Sequence, residues 1–230
     1  EAGEKGRGAL ESIGDFGTAL TATVTPALQQ VGDFAIGSAT DIDSAYRDMR
    51  KTVQGTEGDF QKLKQAAIDF SNKNVTSADQ ILEIQAIGGE LGIAVENLET
   101  FSTVVSNLDI ATDLDTESAA EGLGHLSNIM HLTSDDMVSF GDSLVRLGNN
   151  GASTETDIME VATRIGSMAS IVGMSTPDVL ALASSIASTG QKSEAAGTAI
   201  ANTMSDIETA VAAGGDSLQA FAETANMSAE

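Results

Sequence analysis

The sequence predicts an all-α fold, and three observations carry that prediction. Aromatic residues make up only 3 % of the chain, with no tryptophan, against 41 % hydrophobic residues overall. A core of Ala, Leu, Ile, Val and Met suits closely packed helices better than a β-sandwich, which favours aromatic and β-branched strands. The 230 residues include two prolines, so long helices meet little interruption. Third, the apolar residues between Thr154 and Gly173 fall at Ile158, Val161, Ala162, Ile165, Met168, Ala169 and Val172. Steps of three and four put all of them on one helical stripe.

The rest of the chain is organised like that stretch. Thr154, with Asp157 three residues on, can cap an N-terminus by accepting an otherwise unpaired backbone N–H. Gly173 closes the helix, because glycine tolerates the left-handed turn at a helix end. The next helix opens at once with Met174-Ser175-Thr176-Pro177-Asp178, with proline in the first turn where its missing N–H costs nothing.

Taken in order, residues 1–14 are a charged, glycine-bearing lead-in. The ends, Glu1 without an initiator Met and Met227-Ser228-Ala229-Glu230 as a helix start cut short, are expected to lie inside a longer polypeptide. From Phe16 to Ala39 only Asp33 is charged, and Thr25-Pro26 predicts a kink or a helix start. Ile42, Ala45, Met49 and Val53 mark a helix over 41–54, and Phe60, Leu63, Ala67 and Phe70 mark another ended by Asn72-Lys73-Asn74. Lys62, Lys64 and Lys73 are expected to form a solvated face. A boundary is placed here, between an N-terminal helical arm (1–74) and an acidic region of helical hairpins (75–230).

Beyond it, the phrase "apolar, Ser/Thr, two residues, Asp/Glu" recurs. It reads Val75-Thr76-Ser77-Ala78-Asp79, then Leu132-Thr133-Ser134-Asp135-Asp136, then Met174 to Asp178, and each copy is expected to start a helix. Ile84, Ile87 and Leu91 follow the first, and Met137, Phe140, Leu144 and Leu147 the second. Between them come Leu98, Phe101, Val105 and Leu108, then Ala119, Leu123, Leu126 and Met130. After the third come Val179, Ala183 and Ile186, then Ile200, Met204, Ile207 and Val211, then Leu218, Phe221 and Ala225. Turns fall at Gly92, Asn149-Asn150-Gly151, Gly190 and Gly214-Gly215. Unequal repeat lengths argue for a succession of hairpins rather than a solenoid of fixed period. Gly88-Gly89 inside a helical pattern costs roughly 1 kcal/mol per glycine, which predicts a close helix contact or a break.

Charge narrows the function. The formal net charge is −23, and it is uneven: residues 1–73 carry eight Lys/Arg against eleven Asp/Glu, and residues 74–230 three against twenty-three. A surface this acidic repels phosphate, so direct nucleic-acid binding is not expected. With no cysteine there is neither a disulfide framework nor a thiol metal site. No run of eighteen apolar residues occurs, so no membrane span is expected in this segment.

No catalytic, cofactor-binding or metal residue is expected either. His125 and His131 are six apart, off a common helical face, where a zinc pair on one helix wants a spacing of four and a third ligand. The acids Asp109, Asp113 and Asp115 lack the glycine and terminal glutamate of a calcium loop. Asp135-Asp136 sits at a helix start, where the macrodipole favours acids. Gly122-Leu123-Gly124 follows no strand of a phosphate-binding pattern, and no serine stands beside a plausible base.

Several phrases together carry a family resemblance. They are Phe16 to Pro26, Gly/Thr-rich with its Thr-Pro; the helix Asp41-Ile42-Asp43-Ser44-Ala45-Tyr46-Arg47-Asp48-Met49-Arg50-Lys51; and Phe60-Gln61-Lys62-Leu63-Lys64. Then come Met174 to Ala183, and Lys192-Ser193-Glu194-Ala195-Ala196-Gly197-Thr198-Ala199-Ile200. In this order they resemble the N-terminal conserved region of the tail tape-measure proteins of long-tailed bacteriophages and prophages, over most of residues 15–230. One departure is Asp41 and Asp43, where that family carries a Phe-Glu pair. The resemblance implies a structural protein, not an enzyme, that sets tail length while the tube polymerises around it and leaves ahead of the DNA at infection. It implies a place inside the tail tube of the virion, after assembly in the host cytoplasm. Its implied partners are the tail tube protein, tail assembly chaperones and tail-tip proteins, and a homo-oligomer is expected. The alternatives are a secreted or translocator-like helical interaction protein and an enzyme domain without a legible site.

Overall fold

A computed structural model describes residues 40–225, and all regular structure among them is helical. The chain divides into two compact units, Glu1–Ser44 and Ala45–Glu230, and the helix packing is that of the second. The expectations for residues 1–39 and for Met227 to Glu230 lie outside the described residues.

Helix α1 covers 40–52. There follow α2 (Glu57–Ser71), α3 (Ala78–Glu90), a single 3-10 turn (Val95–Asn97), α4 (Leu98–Ala111), α5 (Thr116–Met130) and α6 (Ser134–Asn150). Helices α7 (Glu155–Ile171), α8 (Thr176–Ala187), α9 (Ser193–Ala213) and α10 (Gly215–Ala225) complete the order. Packing joins helices that are close in sequence: α4 on α5 and α6, α5 on α7, α6 on α7 and α8, and α7 on α8 and α9. Helix α4 is the hub of the first half and α7 of the second. The all-α hairpin succession is therefore the observed architecture.

The predicted stripes supply the core. Ile158, Val161, Ala162, Ile165 and Ala169 on α7 are all fully buried, as are Leu98, Phe101 and Val105 on α4. Tyr46, Met49, Leu63, Ala67, Leu123, Met137, Phe140 and Leu144 are buried too. Val172 is not: it caps α7 and is 44 % exposed, because its N–H turns back to Met168 and the chain leaves the helix there. Gly173 then takes φ +75°, which lets the Met174 N–H reach the Ala169 carbonyl at 2.8 Å.

The glycine pair in α3 is a contact and not a break. A Cβ at Gly88 would come within 2.7 Å of Leu98 Cδ2 and 2.9 Å of Phe101 Cδ1, so α3 meets α4 backbone to side chain. A Cβ at Gly89 would meet the Thr52 carbonyl carbon and the Val53 nitrogen, both at 2.9 Å.

The periodic stripe of α9 departs from expectation. Its buried residues are Ser193, Ala196 and Gly197, all in its first two turns. Ile200, Met204 and Ile207 are only half-buried, and Val211 is 57 % exposed. Among the described helices, only α7, α8 and α10 pack substantially on α9.

Candidate functional site

The polar residues that looked most like chemistry turn out to fasten helices. Asp115 caps α5: its carboxylate accepts the Ser118 N–H at 2.8 Å and the Ser118 hydroxyl at 3.1 Å. Asp113 reaches across to α7, accepting the Thr156 N–H at 3.2 Å. Thr133 accepts the Asp136 N–H, while the Asp136 carboxylate accepts the Thr133 N–H (3.0 Å) and hydroxyl (2.7 Å). Thr56 and Asp59 form the same reciprocal box at α2.

These bonds hold the carboxyls of Asp59, Asp115 and Asp136 below the ordinary range. The Thr56 and Thr133 hydroxyls contribute most to the first and last, and the Ser118 N–H most to the second. Depressed folded-state values mean that the caps stabilise fully above the ordinary carboxylate pKa, about 3.9, and that this is lost as pH falls through the lower values.

Thr154 and Ser175 cap α7 and α8 as expected, accepting the N–H groups of Asp157 and Asp178. The first copy of the phrase is shifted by one residue. Ser77, not Thr76, precedes α3, and Gln80, not Asp79, closes its box: the Gln80 side-chain oxygen accepts the Ser77 N–H and hydroxyl, both at 3.0 Å. Thr76 is drawn away by Ser106 on α4, their hydroxyls lying 2.7 Å apart.

A second set of bonds joins one hairpin to the next. Asn128 on α5 donates to the Leu91 carbonyl (2.6 Å), and the Ser134 hydroxyl to Asn97 Oδ1 (2.9 Å). The Ser170 hydroxyl donates to the Ile129 carbonyl (3.0 Å), and the Ser193 hydroxyl to Asp157 Oδ1 (3.0 Å). The sequence separations run from 36 to 41 residues, about one hairpin each. Small polar residues thus stitch each hairpin to its successor, a role invisible in local sequence.

Arg50, Lys51 and Lys64 of the first two helices engage rings or acids. The Arg50 guanidinium lies 5.1 Å from the Phe60 ring centroid and 5.6 Å from that of Tyr46, and pairs with Glu57 at 2.7 Å. Lys64 stands 4.6 Å over Tyr46, so it belongs to the packing of α1 on α2 and not to a purely solvated face.

His125 and His131 are both exposed. His131 ends α5 in the left-handed region, φ 56° and ψ 47°, the one non-glycine residue at positive φ among those described. That conformation costs an L-residue about 1–2 kcal/mol. His131→Gly should therefore raise the unfolding free energy by about 1 kcal/mol in urea titrations; an unchanged or lower midpoint would sink this account of the turn.

Among the described residues, no three His, Cys, Asp or Glu side chains are placed to hold a metal ion, and no helix is long and apolar enough to cross a membrane. The arrangement is one of helices, short turns and stitched hairpins. A family model described as phage-related minor tail protein matches residues 64–229, well over half of the chain. The chain belongs to this phage minor tail protein family. No curated protein and no solved structure matches it. Membership gives the hairpin array a structural role in a phage tail, and the match begins within α2 and runs through every helix described after it.

Proposed function

We propose that the chain is a segment of a tail tape-measure protein, a ruler and assembly scaffold with no active site. The observation that carries the reading is family membership over an unbroken succession of helices. It is held inside the tail tube, contacts the tube protein, assembly chaperones and tail-tip proteins, and leaves ahead of the DNA. Its acidity suits that last step, since a chain with three cations against twenty-three acids beyond residue 73 does not tether an outgoing genome.

Ruler geometry separates two states of the chain. A helix laid end to end advances about 1.5 Å per residue. A stack of folded hairpins advances only one interhelical spacing, about 10 Å, for each hairpin. Deleting residues 115–151 in frame, which removes α5 and α6, should shorten tails by about 55 Å if the helices lie end to end in the tube, measured by electron microscopy of purified particles. A shortening near 10 Å would mean that hairpins stay folded there. Tails of unchanged length would overturn the ruler reading for this segment, and an absence of tails would indicate nucleation of assembly instead.

A further inference from the structure

Helices α3, α4 and α5 leave a groove of about 520 Å³ between them. Its apolar lining includes Val75, Ile87 and Ile110, and two of these stand well out in solvent, Val75 at 87 % and Ile110 at 51 % exposed. Five carboxylates share the lining: Glu83 and Glu90 from α3, Asp109 from α4, Glu117 and Glu121 from α5. No Lys, Arg or His lines it, and none of the five takes part in the ion pairs found among the described residues, which join Arg50 to Glu57, Lys51 to Asp48 and Arg164 to Glu194.

Burial holds the Glu83 carboxyl above its ordinary range, and the negative charges of Asp79 and Asp48 push it the same way. A positive charge brought into the groove would stabilise the ionised form of Glu83 and pair with the carboxylates around it. A single metal ion does not fit the requirement, because the acids come from three helices and no three of the described acids are placed to hold one. A nucleic acid or an anionic membrane carries the wrong sign. What matches both the aliphatic floor and the spread of carboxylates is an amphipathic helix with Lys or Arg flanking a Leu/Ile/Val stripe, whose long basic side chains reach the acids while their stems cover apolar surface.

We propose that the α3–α4–α5 groove docks a cationic amphipathic segment of a partner protein. The proposal does not rest on the ruler reading and stands or falls separately. A fluorescein-labelled amphipathic helix of Leu and Lys serves as the probe, titrated with the full chain by anisotropy at low and high salt. The variant E83Q/E117Q/E121Q should bind it about tenfold more weakly, a loss expected from three charge pairs of modest strength. V75S/I110S should weaken binding too, and at high salt as much as at low; both positions are exposed, so the fold is spared. The control D206N/E208Q/D216N removes the same charge from α9 and α10 and should bind like the wild type. Equal losses in the two charge variants, or no loss in V75S/I110S, would overturn the proposal in favour of unspecific attraction to an acidic surface. Self-association of the wild type that the groove variants abolish would overturn it in favour of a second copy as occupant.

Discussion

Phe101→Ala should lower the unfolding free energy by about 3–5 kcal/mol, among the largest losses expected from a single truncation among the described residues. The ring has no exposed surface, and it sits on α4, the helix on which α2, α3, α5 and α6 all pack. Two terms add. Removing the ring forfeits its transfer from water, and the void that remains cannot close, because its neighbour across the α3 interface is Gly88, which has no side chain to lean in. For a domain held by about 5–15 kcal/mol, such a loss leaves little margin. Urea unfolding followed by circular dichroism reads it directly. Val138→Ala, at a site 45 % exposed on α6, should change stability by no more than about 0.5 kcal/mol. Similar losses at the two positions would mean that α4 is not the centre of the core.

Much of this architecture was legible because it is local. Thr133 with Asp136, Thr154 with Asp157 and Ser175 with Asp178 each lie within one helical turn, so the residues that name the cap also make it. Legibility failed where the deciding atom is distant. Thr76 and Ser77 are adjacent hydroxyls, each with an acid or amide three residues on, and only Ser106, thirty residues away, settles which one caps α3. Periodicity likewise names a face without naming what covers it. Ile200, Met204, Ile207 and Val211 repeat as regularly as the buried residues of α7, yet remain half-buried or exposed. His131 carried no signal, since the left-handed turn it adopts is one that sequence patterns assign to glycine. The acidic groove was hidden for the same reason as the hairpin stitches: Glu83 stands far in sequence from Asp109 and Glu117, and they meet only when three helices pack.

Gly89→Ala tests the close approach of α3 to the end of α1, and its sign is what decides. By helix propensity alone the change is favourable, by up to about 1 kcal/mol at an interior position. Propensity loses here because the new Cβ would lie 2.9 Å from both the Thr52 carbonyl carbon and the Val53 nitrogen, and 2.7 Å from Val53 Cγ2. The last of these is a side-chain methyl that could turn aside; the other two are backbone atoms at the end of α1 and can move only if the helix moves. Displacing it would disturb Val53 and Met49, both buried, so the net result should be a destabilisation of about 1–3 kcal/mol. Gly58→Ala supplies the opposite sign from the same chemistry. Its Cβ would meet nothing closer than the Thr56 hydroxyl oxygen at 3.7 Å, an ordinary contact, so there the propensity gain should survive and the protein should become more stable. Paired urea titrations decide the matter. A gain at both positions would mean that α1 is free to withdraw from α3, and that Gly89 reflects helix-end geometry and not contact.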